Sequence, residues 1–380
     1  MNLKLTILLF LCAGTFSVLA DNWQQRMDYP SLGRHRGTAI SIGTKGYMGL
    51  GHYNGAGPNI ILSDWWEYDP ATNAWTQKVN HPNGNYGVIS FGIGNVGFVG
   101  SGQVNSSFYK YDPAMNEWIL MNSTPAGFSN SDAFVVGEKA YCIPVNSNNL
   151  FEYNYLNDTW IQKNNAPFSI GSWSSTFTIS EKGYVKVGSS LWEYKPSIDQ
   201  WIARAQFPGI ATSGSVALTQ YGKGIIITGY GGSLGNVTSE VWGFDPYLNA
   251  WDSLQEFAGT SRRFAAGFSI GNKCFLGLGT NGTNFGDFWE LDATANFDEL
   301  FNVEQFVAYP NPAVETIRFK SENLSSFEIT IFDIQGKKIN SLKTDSGSIN
   351  FLRNSLTGGT YFYTVEVNGS IVHNNTFIFK

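Results

Sequence analysis

WEYDPATNAW, residues 66–75, decides the fold, because it returns along the chain. YKYDPAMNEW (109–118), FEYNYLNDTW (151–160), WEYKPSIDQW (192–201) and WGFDPYLNAW (242–251) repeat it. WELDATANF (289–297) is a sixth copy, one residue short and ending in Phe. Their first positions step by 43, 42, 41, 50 and 47 residues. Positions one and three are aromatic or Leu throughout, which is the period of one face of a β-strand. The polar stretch before the final Trp is turn chemistry. Each copy predicts a hairpin in which an aromatic pair faces a Trp across the turn.

A second block recurs upstream of these hairpins: GTAISIGTKGYMGLG (37–51), GVISFGIGNVGFVGSG (87–102), SDAFVVGEKAYCIPV (131–145) and AAGFSIGNKCFLGLG (265–279). Two short apolar runs flank a Gly-containing turn, another hairpin signal. Small residues crowd the first run, as a strand lining a narrow central axis requires. Four strands per unit of roughly 45 residues is the arithmetic of a β-propeller blade. Trp23 has the context of a final-Trp strand with no hairpin before it, so residues 22–27 are expected to supply the outer strand of blade six and remove the open edge.

The glycines after the second strand, the aromatic before Tyr-Asp-Pro and the spaced Trp resemble the kelch family of propellers over residues 21–297. The Gly pair departs from that pattern, becoming Gly-x-Gly at Gly49-Gly51 and Gly100-Gly102 and vanishing at Ile143-Pro144-Val145. The resemblance implies a six-bladed propeller with a binding mouth at one end of its axis.

Trp and Cys vanish after Trp289, and the connector 298–305 leads into a region of short alternating strands. VAYPNPAVETIRF (307–319), EITIFDIQGKKI (328–339) and INFLRNSLTGGTYFYTVEVNG (349–369) closely resemble the type A C-terminal sorting domain of the type IX secretion system. The motif residues are Tyr309, Pro310, Asn311, Pro312, Gly336, Leu356, Gly359 and Tyr361. The resemblance implies that residues 306–380 engage the secretion machinery for release or attachment at the cell surface. The expected fold is all-β, a six-bladed propeller followed by a small Ig-like β-sandwich. Residues 1–20 read as a signal peptide, with Lys4, an apolar core from Leu5 to Leu11, and Val18 and Ala20 before the cleavage point. No later run is long enough to span a bilayer.

Composition narrows the chemistry. Of 380 residues only 14% are charged, the net charge is −6 and there is no basic run, so nucleic acid is an unfavourable partner. Three cysteines and four histidines match no zinc spacing, and no metal or other cofactor is expected. Copper oxidases of the galactose-oxidase type need two His, two Tyr and a Cys that do not converge here. Cys142 and Cys274 fall in second strands of opposite blades and should be free, buried thiols. No hydrolase triad or phosphate loop has supporting context.

Aligning blades at Gly43, Gly94, Gly137 and Gly271 places the candidate ligand-binding residues at the mouth: Arg34, His35, His52, Tyr53, His81, Tyr86, Trp173, Tyr230, Arg262 and Arg263. Paired arginines beside aromatics suit a carboxylate, a phosphate or an acidic sugar. An arginine at that point also serves kelch blades structurally. Asp132 is the only acid placed in the mouth, as a weak catalytic candidate and a partner for Arg34 or Arg262. Asp64, Glu240 and Asp287, recurring before the third strand, read as a repeated structural hydrogen bond. The expected function is non-catalytic binding of a glycan or extracellular protein. The alternatives are a cofactor-independent sugar mutarotase or epimerase and a structural adhesion component.

Overall fold

The structure, a computed structural model, describes residues 23–55, 57–292, 306–321, 324, 326–334, 337–354, 356–367 and 370–380. The signal segment 1–20, the connector 298–305 and Gly336 lie outside the described residues.

Six four-stranded antiparallel sheets follow one another between Trp23 and Leu291. The first contains Thr38–Ile42, Lys45–Gly49, Trp65–Asp69 and Ala74–Lys78. The next four repeat its up-and-down order, with first strands at Ile89–Ile93, Ala133–Val136, Ser175–Ile179 and Val216–Gln220. The sixth joins Ala266–Ile270, Lys273–Gly277 and Phe288–Leu291 to Trp23–Gln25 from the other end of the chain. Trp23 faces Leu291 in that pairing. Each first strand lies beside the first strands of the sheets before and after it, the sixth beside the first.

The repeat knits these sheets together. Tyr68, Tyr111, Tyr153, Tyr194 and Phe244 each pair across the hairpin with Trp75, Trp118, Trp160, Trp201 and Trp251. The four tyrosine hydroxyls donate to Asn73, Asn116, Asp158 and Asp199, five residues on. Those side chains also accept a backbone N–H from the preceding segment, as Asn73 does from Met27 at 3.0 Å and Asn116 from Val79 at 3.1 Å. Trp75, Trp118 and Trp251 donate their indole N–H to Met27, Val79 and Ala205 carbonyls. Second-strand glycines let the sheets approach. A Cβ on Gly46, Gly183 or Gly224 would lie 2.0–2.1 Å from the ring of Phe268, Phe134 or Phe177 on the neighbouring sheet.

A belt of backbone hydrogen bonds closes the circle at one end. Arg36, Gly87, Asn130, Trp173, Gly214 and Phe264 precede the first strands in the left-handed conformation, with φ between 56° and 66°. Gly87 N–H donates to Arg36 C=O (3.2 Å), Asn130 to Gly87 (2.8 Å), Trp173 to Asn130 (2.9 Å) and Gly214 to Trp173 (3.0 Å). Phe264 donates to Gly214 (3.0 Å), and Arg36 donates to Phe264 (3.1 Å), completing the ring. Four of the six are not glycine, at a cost of about 1 kcal/mol or more each. Such strain persists only where surrounding structure enforces it.

The tail has a three-stranded sheet (Phe306–Tyr309, Thr316–Ser321, Ser348–Leu352) and a four-stranded one (Lys338–Thr344, Phe327–Phe332, Gly359–Val367, Ser370–Phe379). Both sheets contribute to one buried core that includes Ile317, Phe319, Phe351, Ile329, Tyr363, Val365 and Phe377. The sorting-motif residues serve this packing. Asn311 bonds to Ile378 N–H (3.0 Å) and Thr376 C=O (3.2 Å), and the buried Tyr361 hydroxyl donates to Thr357 C=O at 2.7 Å. Leu356 packs against the core and Gly359 opens the next strand.

Candidate functional site

The six first strands surround a channel lined by Ala39, Ser90, Ala133, Thr176, Ala217 and Gly267, and one step deeper by Ser41, Gly92, Val135, Thr178, Thr219 and Ser269. Small and hydroxyl side chains are what a six-strand convergence admits. The hydroxyls lace neighbouring strands, as Thr176 to Ala133 C=O (2.8 Å), Thr178 to Val135 C=O (2.7 Å) and Thr219 to Thr178 C=O (2.7 Å). At the belt end the channel opens into a chamber of about 140 Å³ bounded by Arg36, Trp173 and Phe264 above and by Ser90, Asp132, Ser174 and Ser215.

The belt places these residues. Arg36 lies over two rings, 5.3 Å from the Trp173 centroid and 4.7 Å from that of Phe264. Trp173 and Phe264 touch at 4.8 Å. Arg263 approaches Phe264 from outside, at 5.5 Å. Burial first, then the other guanidinium, lowers the Arg36 pKa, and burial lowers that of Arg263. Among the described residues neither Arg36 nor Arg263 has a carboxylate within ion-pair distance. Arg36 Nε, Arg263 Nε and Nη1, Asn130 Oδ1, Ser174 Oγ and Ser215 Oγ are buried without partners. Such atoms are costly unless a water or ligand meets them.

Aromatic contacts extend the site along the rim. Tyr230 meets Phe264 edge-on at 5.6 Å, His35 contacts Phe264 and His52, and His52 stacks on Tyr86 at 5.0 Å. Burial, then Arg36, pushes His35 down to about 4, so it is neutral at physiological pH; its Nε2 lies 3.0 Å from Asn54 Oδ1. His52 is lowered for the same reasons. Tyr53 stays on the short hairpin, its backbone paired with Ile60.

Asp132 is half-buried and lines the chamber. Burial raises its pKa to about 6, partly opposed by N–H bonds from Ala133 (2.9 Å) and Thr176 (3.0 Å). Those backbone groups are its partners, not Arg34 or Arg262, which corrects the sequence expectation.

Arg34 and Arg262 belong to the scaffold. Both are fully buried. Arg34 donates Nε to Leu32 C=O (2.8 Å), Nη1 to Leu50 C=O (3.1 Å) and Asp64, and Nη2 to Ser31 (2.7 Å) and Asp64 (3.0 Å). Arg262 repeats this with Thr260, Leu278 and a bidentate grip on Asp287 at 2.6 and 2.7 Å. Each also lies over a ring, Tyr29 or Phe257. With their N–H groups held by protein, they offer a ligand little. The acids recur as partners of the third-strand indole: Asp64 with Trp66 (2.9 Å), Asp287 with Trp289 (2.7 Å) and Glu240 with Trp242 (3.4 Å). In the fourth sheet Lys186 takes the corresponding place, 4.5 Å over Phe207, and donates to Ala211 C=O at 2.6 Å. Burial depresses it to about 7.

His81 is also displaced from the mouth. It is buried between Trp118 (4.7 Å) and Tyr109 (5.0 Å), with Nδ1 against Asn83 C=O. Of the expected residues the structure gathers His35, His52, Tyr86, Trp173, Tyr230 and Arg263 at the rim. It adds Arg36 and Phe264, which sequence reasoning missed. The seven-residue step back from the turn glycines Gly43 and Gly271 marks both. Cys142 and Cys274 are free and buried, and burial pushes the Cys274 thiol up to about 12. Among the described residues no His/Cys/Asp/Glu cluster could hold a metal ion.

Comparison with known proteins bears first on the tail. Residues 307–380 match the secretion system C-terminal sorting domain. That domain marks proteins exported by the type IX secretion system to the cell surface or the medium, and it implies contact with the secretion machinery. The solved "Structure of YjhT" is similar to this chain, with a TM-score of 0.58 at 14% identity over 69% of this chain and 95% of that one. This likeness concerns the fold alone. No curated protein matches the chain. Among the described residues no helix is long and apolar enough to cross a membrane.

Proposed function

We propose that residues 21–297 form a six-bladed kelch-type propeller, exported ahead of an Ig-like sorting domain, and that its mouth binds an acidic glycan without transforming it. One observation carries this reading: Arg36 and Arg263 flank Phe264 with no carboxylate partner among the described residues, above a chamber edged by orphaned polar atoms. A sugar carboxylate would supply the missing charge, and the faces of Trp173 and Tyr230 suit the apolar face of a pyranose. The test is calorimetry of the mature protein with uronic and sialic acid glycans against neutral counterparts. Acidic glycans should bind, with at least tenfold loss in Arg36→Ala or Arg263→Ala, roughly 1.4 kcal/mol. Equal affinity for neutral glycans, or unchanged binding in both variants, defeats the proposal.

Asp132 favours a second reading, a cofactor-independent sugar isomerase. A carboxyl with pKa about 6 beside the same chamber suits general acid–base work near neutrality. NMR of a reducing acidic sugar decides it: faster anomer or epimer exchange that disappears in Asp132→Asn supports turnover, and an unchanged rate with the parent protein rejects it.

A further inference from the structure

On the face opposite the mouth, between the fourth and fifth sheets, lies a cleft of about 430 Å³ lined by Lys182, Lys195, Arg204, Glu193, Tyr184 and Tyr247, among others. The third-strand carboxylate in it is part of a repeat, and the comparison with its counterparts is informative. Glu67 is paired with Lys78 at 3.1 Å, Glu152 closely with Lys139, and Glu290 with Lys273 at 2.5 Å and Arg26 at 2.6 Å. Each of these carboxylates carries one or two cations, Glu152 having Lys163 at 3.6 Å as its second.

The fourth sheet places three cations on its carboxylate. Glu193 is buried, and its Oε2 is taken by Arg204 Nη2 at 2.7 Å and the Tyr184 hydroxyl at 2.8 Å. The two ammonium groups stand back from Oε1, Lys195 at 3.7 Å and Lys182 at 4.0 Å. Arg204 Nε is buried in the cleft wall without a partner. Three cations thus share one carboxylate beside open space, so the cleft holds an excess of positive charge.

We propose that this cleft is a second binding site, for the tetrahedral oxyanion of a sulfated or phosphorylated saccharide. Such an anion meets Lys182, Lys195 and Arg204 Nε together and balances their excess positive charge. Ile202, Pro246 and Tyr247 give the sugar ring an apolar wall. The site is on the other face from Arg36 and Arg263, so it does not depend on the mouth reading.

The experiment titrates the mature protein with inorganic sulfate, inorganic phosphate, glucose 6-sulfate and glucose 6-phosphate at constant ionic strength, followed by calorimetry and by ³¹P line broadening. Saturable 1:1 binding is expected. It should weaken at least tenfold in Lys182→Gln/Lys195→Gln and stay intact in Arg36→Ala, and sulfate should displace phosphate. The sulfate and phosphate arms identify which ester is preferred. Non-saturable binding to the parent protein, or unchanged affinity in the folded double variant, overturns the proposal. The line-broadening arm on the parent reads the result even if that variant does not fold.

Discussion

Arg34→Ala and Arg36→Ala, two residues apart, should behave as opposites. Arg34 is fully buried and its guanidinium holds Leu32, Leu50, Ser31 and both oxygens of Asp64. Its removal strands Asp64, whose side chain is only 14% exposed and keeps the Trp66 indole as a close donor. Breaking one side of a buried pair costs about 3–5 kcal/mol. The retained indole bond places Arg34→Ala near about 3 kcal/mol. In a unit of this size that lowers the melting temperature by roughly 6–12 °C. Burial by itself would raise the Asp64 carboxyl, but Arg34 more than offsets it and holds the pKa below the usual value. A depressed carboxylate stabilises above its unfolded pKa and loses that contribution as pH falls through the folded one. Arg34→Ala should therefore lie furthest below the parent at neutral pH and converge on it below about pH 4. Arg36 has two ring contacts, each worth about 0.5–1 kcal/mol, and no carboxylate, so Arg36→Ala should cost about 1–2 kcal/mol and lose glycan binding. Scanning calorimetry of residues 21–380 from pH 2 to 8 reads both. An Arg34→Ala protein as stable as the parent, or an Arg36→Ala protein as weakened as Arg34→Ala, refutes the division between scaffold and site.

Binding of an acidic glycan should weaken as pH rises through about 6, because ionised Asp132 then puts a negative charge beside the chamber; a flat profile in the parent, or the same slope in Asp132→Asn, contradicts this. Lys186, depressed to about 7, binds fewer protons folded than unfolded between there and its ordinary value, so stability should rise from pH 7 to 10 and that rise should vanish in Lys186→Met; chemical denaturation at several pH values checks it. Gly183→Ala drives a Cβ to 2.1 Å from the Phe134 ring and should cost about 1–3 kcal/mol by thermal melting. A neutral result there would mean the two sheets separate more easily than their packing implies.

The hairpins were readable because their chemistry is local: a Tyr, a turn and a Trp within ten residues fold against one another and recur. The mouth was legible only in part. Arg34 and Arg262 stand out because they match each other, but that match reflects a common need to hold Asp64 and Asp287. Arg36 is hidden because its equivalents are Gly87, Asn130, Trp173, Gly214 and Phe264. His81 is assigned to the mouth by its loop position alone, whereas Trp118 and Tyr109 enclose it. In the tail, the apolar runs at Phe327–Phe332 and Tyr361–Val367 announced strands. Lys338–Thr344 did not, because KINSLKT is an edge strand with half-exposed polar positions and little periodic contrast.

The most direct test is a crystal structure of the mature protein grown with a uronic or sialic acid glycan. The account predicts the sugar carboxylate within hydrogen-bond reach of Arg36 and Arg263, with the ring against Trp173 or Tyr230. Sugar bound on the outer rim, or a mouth left empty under saturating glycan, would contradict it.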